Sequence, residues 1–121
     1  MAFDLVVKRI YEPPATDDGQ RVLVDRIWPR GVSKEDAALA LWLKDIAPSD
    51  ALRGWFGHEP ERWMEFQKRY RAELDRNGEV VGQLRAMLGK GRVTLLYGAR
   101  DEAHNNAVAL AGYLQWTGSG D

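Results

Sequence analysis

The segment VLVDRI, from Val22 to Ile27, decides how this sequence is interpreted. Three apolar β-formers precede two charged residues and an isoleucine, and the segment LVVKRI, from Leu5 to Ile10, has the same plan. Continuous apolar runs of this length are typical of strands buried on both faces, which occur in parallel sheets covered by helices. We therefore predict two buried strands that turn polar at their carboxyl ends.

Strand and helix patterns alternate along the rest of the chain. The run RVTLLY, from Arg92 to Tyr97, is β-branched and aromatic and predicts a strand. The alternating leucines of 39–43 predict another strand, although the alanines in this segment also allow a helix. Between the first two strands, EPPATDDGQ is dense in turn formers and predicts a surface loop.

Helix signals fill the remaining segments. Ser33 with Asp36 forms a plausible helix start, and Ser49 after Pro48 forms another. Apolar positions at helical spacing are Leu52, Trp55 and Phe56; Trp63, Phe66, Tyr70 and Leu74; Val80, Val81, Leu84, Met87 and Leu88; and Ala107, Leu110, Ala111 and Leu114. We predict an α/β fold, a three-layer α/β/α sandwich with a small, mostly parallel sheet of about four strands.

Length and composition limit the classes of protein to consider. The 121 residues fit a single domain, which we expect over 1–116, followed by a disordered tail at 117–121. The 17 basic and 18 acidic residues give a net charge of -1, so no overall positive field favours a polyanion. Nucleic-acid binding would therefore need a local basic patch.

The sequence also predicts a compartment. It contains no cysteine, which excludes disulfides and thiolate chemistry and fits a reducing environment. The first residues, MAFDLVVKRIYEPP, have too short an apolar run for a signal peptide, and no run of 18 apolar residues predicts a membrane span. We expect a cytoplasmic protein.

The carboxyl ends of the predicted strands are rich in arginine. Arg26, Trp28 and Arg30 follow one strand closely, and Arg100 follows the strand RVTLLY. Ligands of open α/β sheets bind outside the carboxyl ends of the strands, and a guanidinium group offers forked donors to a carboxylate or phosphate. We predict a crevice in which Arg26, Trp28, Arg30 and Arg100 contact a small anionic ligand.

The segment YGARDEAHNN, which begins at Tyr97, completes the predicted site. A buried strand passes through a glycine into a helix start, with Asp101 as the cap and His104 and Asn105 in the first turn. Free amides, a positive dipole end and a histidine that titrates near neutral pH can bind an anion or transfer a proton. His104, Asp101 and Tyr97 are the catalytic candidates, and His104 and Asn105 are further ligand contacts.

Two other interpretations of these residues stay open. Asp25, Asp45 and Asp101 can pair with the arginines and hold loops to the sheet, because structural ion-pair networks imitate active sites. Alternatively, exposed arginines and tryptophans can form a nucleic-acid or protein interaction module. Trp28 can stack on a ligand or fix its own loop, whereas the apolar patterns favour a core position for Trp42, Trp55 and Trp63.

Other standard sites find no support. The sequence has no dinucleotide fingerprint, P-loop, nucleophile elbow or zincin motif. His58 and His104 are the only histidines, 46 positions apart, so we predict no metal site and interpret His58 as a loop or capping residue. The sequence identifies no cofactor and no oligomeric state, and it leaves open whether a bound ligand is turned over.

Three segments together resemble the YeaO-like family of small bacterial proteins, a branch of a larger domain family of unknown function. They are VLVDRIWPRGVSKE, WLKDIAPSDALRGWFGHEPERWMEF and VTLLYGARDEAHNNA, and the resemblance covers about Val6 to Leu114. It implies an α/β fold without an established activity. Many longer members carry a Cys-His pair at the start of the last helix, where Asn105 and Asn106 stand in this chain. This departure from the family argues against a thiol-based mechanism here.

Overall fold

A parallel sheet forms the centre of the structure, a computed structural model that describes residues 4–118 and the side chains of 4–115. Its strands are β1 (Leu5–Arg9), β2 (Gln20–Leu23), β3 (Leu41–Trp42) and β4 (Val93–Tyr97). They lie in the order β1-β4-β2-β3, and every pairing among them is parallel. The predicted parallel sheet is confirmed, although β1, β2 and β3 are shorter than the sequence pattern indicated.

The central strand β4 is hydrogen-bonded on both sides. It pairs with β1 from Leu5 opposite Val93, and with β2 from Gln20 opposite the same residue. All of its side chains are buried, which fits the continuous apolar run in the sequence. The carboxyl ends of β2 and β4 therefore lie side by side at one edge of the sheet.

Helices α1 (Lys34–Ala37), α2 (Asp50–Phe56), α3 (Trp63–Asp75), α4 (Gly78–Leu88) and α5 (Asn106–Gly118) complete the fold. Two of the predicted caps are confirmed. The Ser33 hydroxyl accepts the amide of Asp36 at 3.0 Å, and the Ser49 hydroxyl accepts the amide of Leu52 at 3.1 Å. Helices α1 and α2 thus begin where the sequence predicted, because their first free amides have side-chain acceptors.

The larger hydrophobic core lies on one face of the sheet. Strand residues such as Val22 and Leu95 pack there against apolar side chains of α2, α3, α4 and α5. Phe66, Tyr70 and Leu114 are almost completely buried in this core. These helices enclose one face of the sheet and bring the end of α2 and the start of α5 to its carboxyl edge.

The opposite face of the sheet has a thinner covering. Its smaller core joins Leu23 and Leu96 to Ala37 of α1, and Trp28 and Trp42 pack against it. The two indole rings meet edge to face, with their centroids 5.3 Å apart. The third layer of the predicted sandwich therefore consists of the four-residue helix α1 together with loops.

A buried ionic cluster lies beneath the loop between β1 and β2. The carboxylate of Asp18 accepts hydrogen bonds from Arg21 at 2.6 Å, from Lys8 at 3.2 Å and from the Ala15 amide at 3.0 Å. Thr94 in β4 donates to the Asp18 carbonyl at 2.7 Å. Most of EPPATDDGQ is exposed as predicted, but its Asp18 is buried and ties the loop to the sheet.

The first two residues of the predicted tail, 117–118, belong to the last helix. Helix α5 extends to Gly118, and residues 119–121 lie outside the described part of the chain. Among residues 4–118, no helix combines the length and apolar character that a bilayer crossing requires.

Candidate functional site

A crevice of about 200 Å³ opens at the carboxyl ends of β2 and β4. Segments that are distant in sequence contribute its walls: the chain after β2, the loop before α2, the end of α2, the first part of α3 and the start of α5. Its lining residues are Asp25, Arg26, Ile27, Ala47, Pro48, Arg53, Phe56, His58, Phe66, Ala99, His104, Asn105 and Asn106. This is the position at which open parallel sheets bind ligands.

Asp25 lies between the ends of the two strands. One oxygen of its carboxylate accepts the Gly98 amide at 2.8 Å, and the other accepts the Asn106 side-chain amide at 3.1 Å. Burial raises the pKa of Asp25, and the hydrogen bonds from Gly98 and Asn106 offset that effect only in part. The crevice thus contains a half-buried acid with one hydrogen bond to each oxygen.

Arg26 and Arg53 bring positive charge to the crevice. The guanidinium of Arg26 donates to the carbonyl oxygens of Ala47 at 3.2 Å and Pro48 at 3.5 Å. Asp50 lies 3.8 Å from Arg26 and 3.5 Å from Arg53, and its side chain is 75% exposed. Exposed pairs of this kind contribute little to stability, so both cations remain able to bind another anion.

His104 is held by Asp101 at the start of α5. The Asp101 carboxylate accepts the amides of Ala103 and His104 and lies 2.9 Å from Nδ1 of the His104 ring. These hydrogen bonds, that of Ala103 first, lower the pKa of Asp101. A carboxylate at Nδ1 favours a proton on that nitrogen, which leaves Nε2 as the ring nitrogen for a ligand. The ring also packs edge to face against Trp63, with centroids 5.3 Å apart.

The start of α5 differs from the prediction. Helix α5 begins at Asn106, and its cap is Asn105, whose side-chain oxygen accepts the Val108 amide at 2.9 Å. The same side chain donates to the Asp101 carbonyl at 2.9 Å. The predicted cap, Asp101, instead closes the turn before the helix. Both functional groups of the Asn105 side chain are therefore engaged within the protein.

The structure separates the predicted arginines. Arg26 lines the crevice, whereas Arg30 and Arg100 are exposed and do not line it. Trp28 packs on the opposite face of the sheet, where its indole donates to the Val32 carbonyl at 2.7 Å. Burial of that indole carries the following residues away from the crevice, and Gly31 turns the chain with φ 78°. The predicted wall of Arg26, Trp28, Arg30 and Arg100 is therefore not assembled.

The remaining predicted residues divide between crevice and core. His104 and Asn105 line the crevice, and Asp101 contacts it through His104. Tyr97 is buried in the larger core, where desolvation raises its pKa. Its hydroxyl is not part of the crevice lining, so an acid–base role for Tyr97 in this site has no geometric support.

Sequence reasoning did not predict the contribution of α2 to the site. Arg53 reaches the crevice from within α2, and His58 reaches it because α2 ends at Phe56 and the chain reverses through Gly57 and His58, which have φ values of 52° and 58°. His58 lies near the Phe56 ring, with centroids 6.1 Å apart. No local motif marks either residue, because their position depends on how α2 packs on the sheet.

The alternative of an acid–arginine brace is only partly realised. Within residues 4–118, neither Asp25, Asp45 nor Asp101 lies in an ion pair with an arginine. Arg26 does hold the loop before α2, but through backbone carbonyls. Replacement of Arg26 leaves no buried acid without its partner. It should therefore lower the free energy of unfolding by about 1–2 kcal/mol, which is less than the loss expected when a buried ion pair is broken.

The fold and this crevice together define a small α/β protein with a polar site at the carboxyl edge of a parallel sheet. A family model described as "Inactive DUF488-N3 subclade" matches residues 4–117, and the chain belongs to that family.

Relatives of known sequence confirm the predicted resemblance. The chain is 42% identical to the uncharacterized protein YeaO of Escherichia coli strain K12, over 89% of this chain and 94% of that protein. It is 46% identical to the uncharacterized protein Rv3073c of Mycobacterium tuberculosis H37Rv, over 89% of this chain and 91% of that protein. No solved structure matches the chain.

Proposed function

We propose that the protein binds a small anionic ligand in the crevice at the carboxyl ends of β2 and β4. The observation that carries this proposal is the convergence of Arg26, Arg53, His58 and His104 on one solvent-open hollow. The acid partner that the two arginines share, Asp50, is mostly exposed and is not hydrogen-bonded to either of them. A carboxylate or phosphate can replace Asp50 with better geometry, because a guanidinium group matches both in forked form.

The size of the crevice favours a ligand of few atoms. Its volume of about 200 Å³ lies below the range of roughly 300–1,000 Å³ that is usual for drug-sized ligands. Inorganic phosphate, a short carboxylate or a small phosphonate fits this volume, whereas a dinucleotide does not. The positive end of α5 borders the same hollow and adds to its preference for an anion.

The proposal concerns binding and includes no covalent step. None of the residues that line the crevice carries a thiol or hydroxyl group that could act as a nucleophile. The description of the family as inactive agrees with that composition. His104 and Asp101 resemble the oriented base of a catalytic pair, but in this proposal Asp101 only orients the ring, and His104 donates to the bound anion from Nε2 when both ring nitrogens carry a proton.

Thermal unfolding with a ligand panel tests this proposal. Phosphate, sulfate, acetate and chloride at equal ionic strength are compared on wild type, Arg53→Gln and Arg30→Gln. A ligand at one hundred times its dissociation constant stabilises the native state by about 2.7 kcal/mol. Wild type and Arg30→Gln should therefore rise in melting temperature with at least one oxyanion, and Arg53→Gln should respond clearly less.

Arg30→Gln is the matched control because it removes an exposed arginine outside the crevice. Equal responses of the two variants would indicate general charge screening and would contradict a specific site. A panel without any shift at millimolar ligand would also overturn the proposal.

An interaction module is the second candidate, and the surface around Trp55 is its best support. The Trp55 ring is contacted by the guanidinium groups of Arg62 at 5.4 Å and Arg69 at 4.1 Å. A nucleic-acid base would have to compete with these arginines for the ring. Because the protein has a net charge of -1, we rank this candidate below anion binding. Binding of oligonucleotides with an affinity that falls steeply as salt is added would reverse this ranking.

A further inference from the structure

Asp25 is not explained by a crevice that binds only an anion. Its carboxylate shares the lining with Arg26 and Arg53 and would repel a purely anionic ligand. Asp25 does have a structural role, since its carboxylate accepts the Gly98 amide and the Asn106 side chain, but those two bonds do not account for a negative charge beside an anion. Its place in the crevice therefore suggests that the carboxylate contacts a part of the ligand that is not negative.

The Asp25 carboxylate also has acceptor capacity to spare. Two carboxylate oxygens can accept about four hydrogen bonds in total, and the described residues supply one donor to each oxygen, Gly98 and Asn106. No cation within the described chain forms an ion pair with Asp25. Burial raises its pKa more than the Gly98 and Asn106 hydrogen bonds and the charge of Arg53 lower it, so the ionised form would gain from a positive partner in direct contact.

The crevice brings an acid, cations and apolar rings together. Asp25 and Asn106 are half-buried, whereas the side chain of Arg53 is 52% exposed and His58 is exposed. Buried rings of Phe56 and Phe66 form the apolar part of the lining. The half-buried acceptor Asp25, the apolar rings, and the cations Arg26, half-buried, and Arg53, more exposed, make a site for a short molecule with opposite charges at its ends.

We infer that the ligand is a small zwitterion, an amino acid or aminoalkylphosphonate, whose ammonium group binds Asp25 while its anionic group binds Arg26 and Arg53. This inference rests on the proposed function and specifies its ligand class. The ammonium donates to the unused acceptor positions of Asp25, and a chain of one to three methylene groups lies against the phenylalanine rings. The anionic group takes the place of Asp50 beside the two arginines.

Matched ligand pairs test the inference. Propionate is compared with β-alanine, and ethylphosphonate with 2-aminoethylphosphonate, by isothermal titration at pH 7 and constant ionic strength. Each pair shares its anionic group and differs by one ammonium. Addition of a positive charge weakens long-range attraction to the arginines, so tighter binding of the amine must come from a local acceptor. Wild type should bind the amine-bearing member at least tenfold more tightly.

Asp25→Asn identifies the acceptor. The variant should lose the preference for the amine and bind propionate as well as or better than wild type does, because a repelling carboxylate is gone. The hydrogen bond from Asn106 to Asp25 makes some loss of stability possible, so a second readout uses wild type alone. The carboxyl carbon resonance of Asp25 should shift on addition of β-alanine and stay unchanged with propionate.

The outcomes separate this inference from the proposed function. If propionate and ethylphosphonate bind and their amino analogues bind no more tightly, the inference of a zwitterionic ligand is wrong and the proposal of anion binding is retained. The same conclusion follows if Asp25→Asn retains the preference, or if the Asp25 resonance does not respond to β-alanine. If no member of either pair binds at millimolar concentration, the proposed function fails and the inference fails with it.

Discussion

Replacement of Asp18 by asparagine should destabilise the protein more than any other single charge removal described above. The Asp18 side chain is 7% exposed and lies between Arg21, which is 5% exposed, and Lys8, which is 15% exposed. Asparagine keeps the shape but leaves two cations in a nearly dry environment without their acid. Breaking a buried ion pair from one side typically costs about 3–5 kcal/mol.

That loss is a large part of the stability of a small domain, which is usually about 5–15 kcal/mol. For a chain of this length it corresponds to a fall in melting temperature of roughly 10–20 °C. Urea unfolding followed by circular dichroism measures the change directly. Asp17→Asn is the matched control, since Asp17 is the exposed neighbour of Asp18 in the same turn, and it should change stability by less than about 0.5 kcal/mol.

The pH dependence gives an independent check of the Asp18 cluster. Burial opposes ionisation of Asp18, but the hydrogen bonds from Ala15, Arg21 and Lys8 outweigh it and lower the pKa below its usual value of 3.8. A carboxyl whose pKa is lower in the native state contributes stability above its unfolded pKa, and that contribution disappears as the pH falls through the native pKa. The difference in the free energy of unfolding between wild type and Asp18→Asn should therefore have its largest value at pH 6 and decrease below about pH 4. A cost below 1 kcal/mol at pH 6, or a difference that does not change in acid, would refute the reasoning.

Two further predictions concern the backbone and the smaller core. Gly19 has φ 67°, and a Cβ there would collide with the Arg92 carbonyl, so Gly19→Ala should lower the free energy of unfolding by more than about 2 kcal/mol. Gly31 has φ 78° with open space around it, so Gly31→Ala should lower it by about 1 kcal/mol. Equal costs in urea unfolding would show that the collision is relieved. Trp28→Phe removes the hydrogen bond to Val32 and should cost about 1–2 kcal/mol, while oxyanion-induced stabilisation stays unchanged; a lost response to oxyanions would restore Trp28 to the binding site.

The elements that the sequence predicted well depend on local patterns. The buried strand β4 is a continuous apolar run, and helices α1 and α2 begin at serine caps whose hydroxyls reach amides three residues away. Such features need only the neighbouring chain. The position of the crevice was predictable as well, because the carboxyl edge of a parallel sheet follows from the order of strands and helices.

The residues that line the crevice could not all be predicted from the sequence, because their positions depend on tertiary packing. Arg53 and His58 enter it from the end of α2, and nothing near them in sequence indicates which end of the sheet α2 reaches. Trp28 shows the opposite error: its arginine neighbours suggested a ligand contact, but its large ring gains more by packing against Trp42 on the other face. Asp18 was hidden among turn formers, where a buried acid has no compositional signal.

The most direct test of anion binding is a titration of the isotopically labelled protein with phosphate, followed by two-dimensional NMR. The account predicts saturable shifts concentrated on the amides of Gly98 and Asn106 and on the side-chain Nε of Arg53, all at or beside the crevice. Absence of shifts at about 20 mM phosphate, a concentration at which a site with a dissociation constant of about 1 mM would be nearly filled, would contradict it. So would shifts centred on Arg30 or Arg100, which lie outside the crevice.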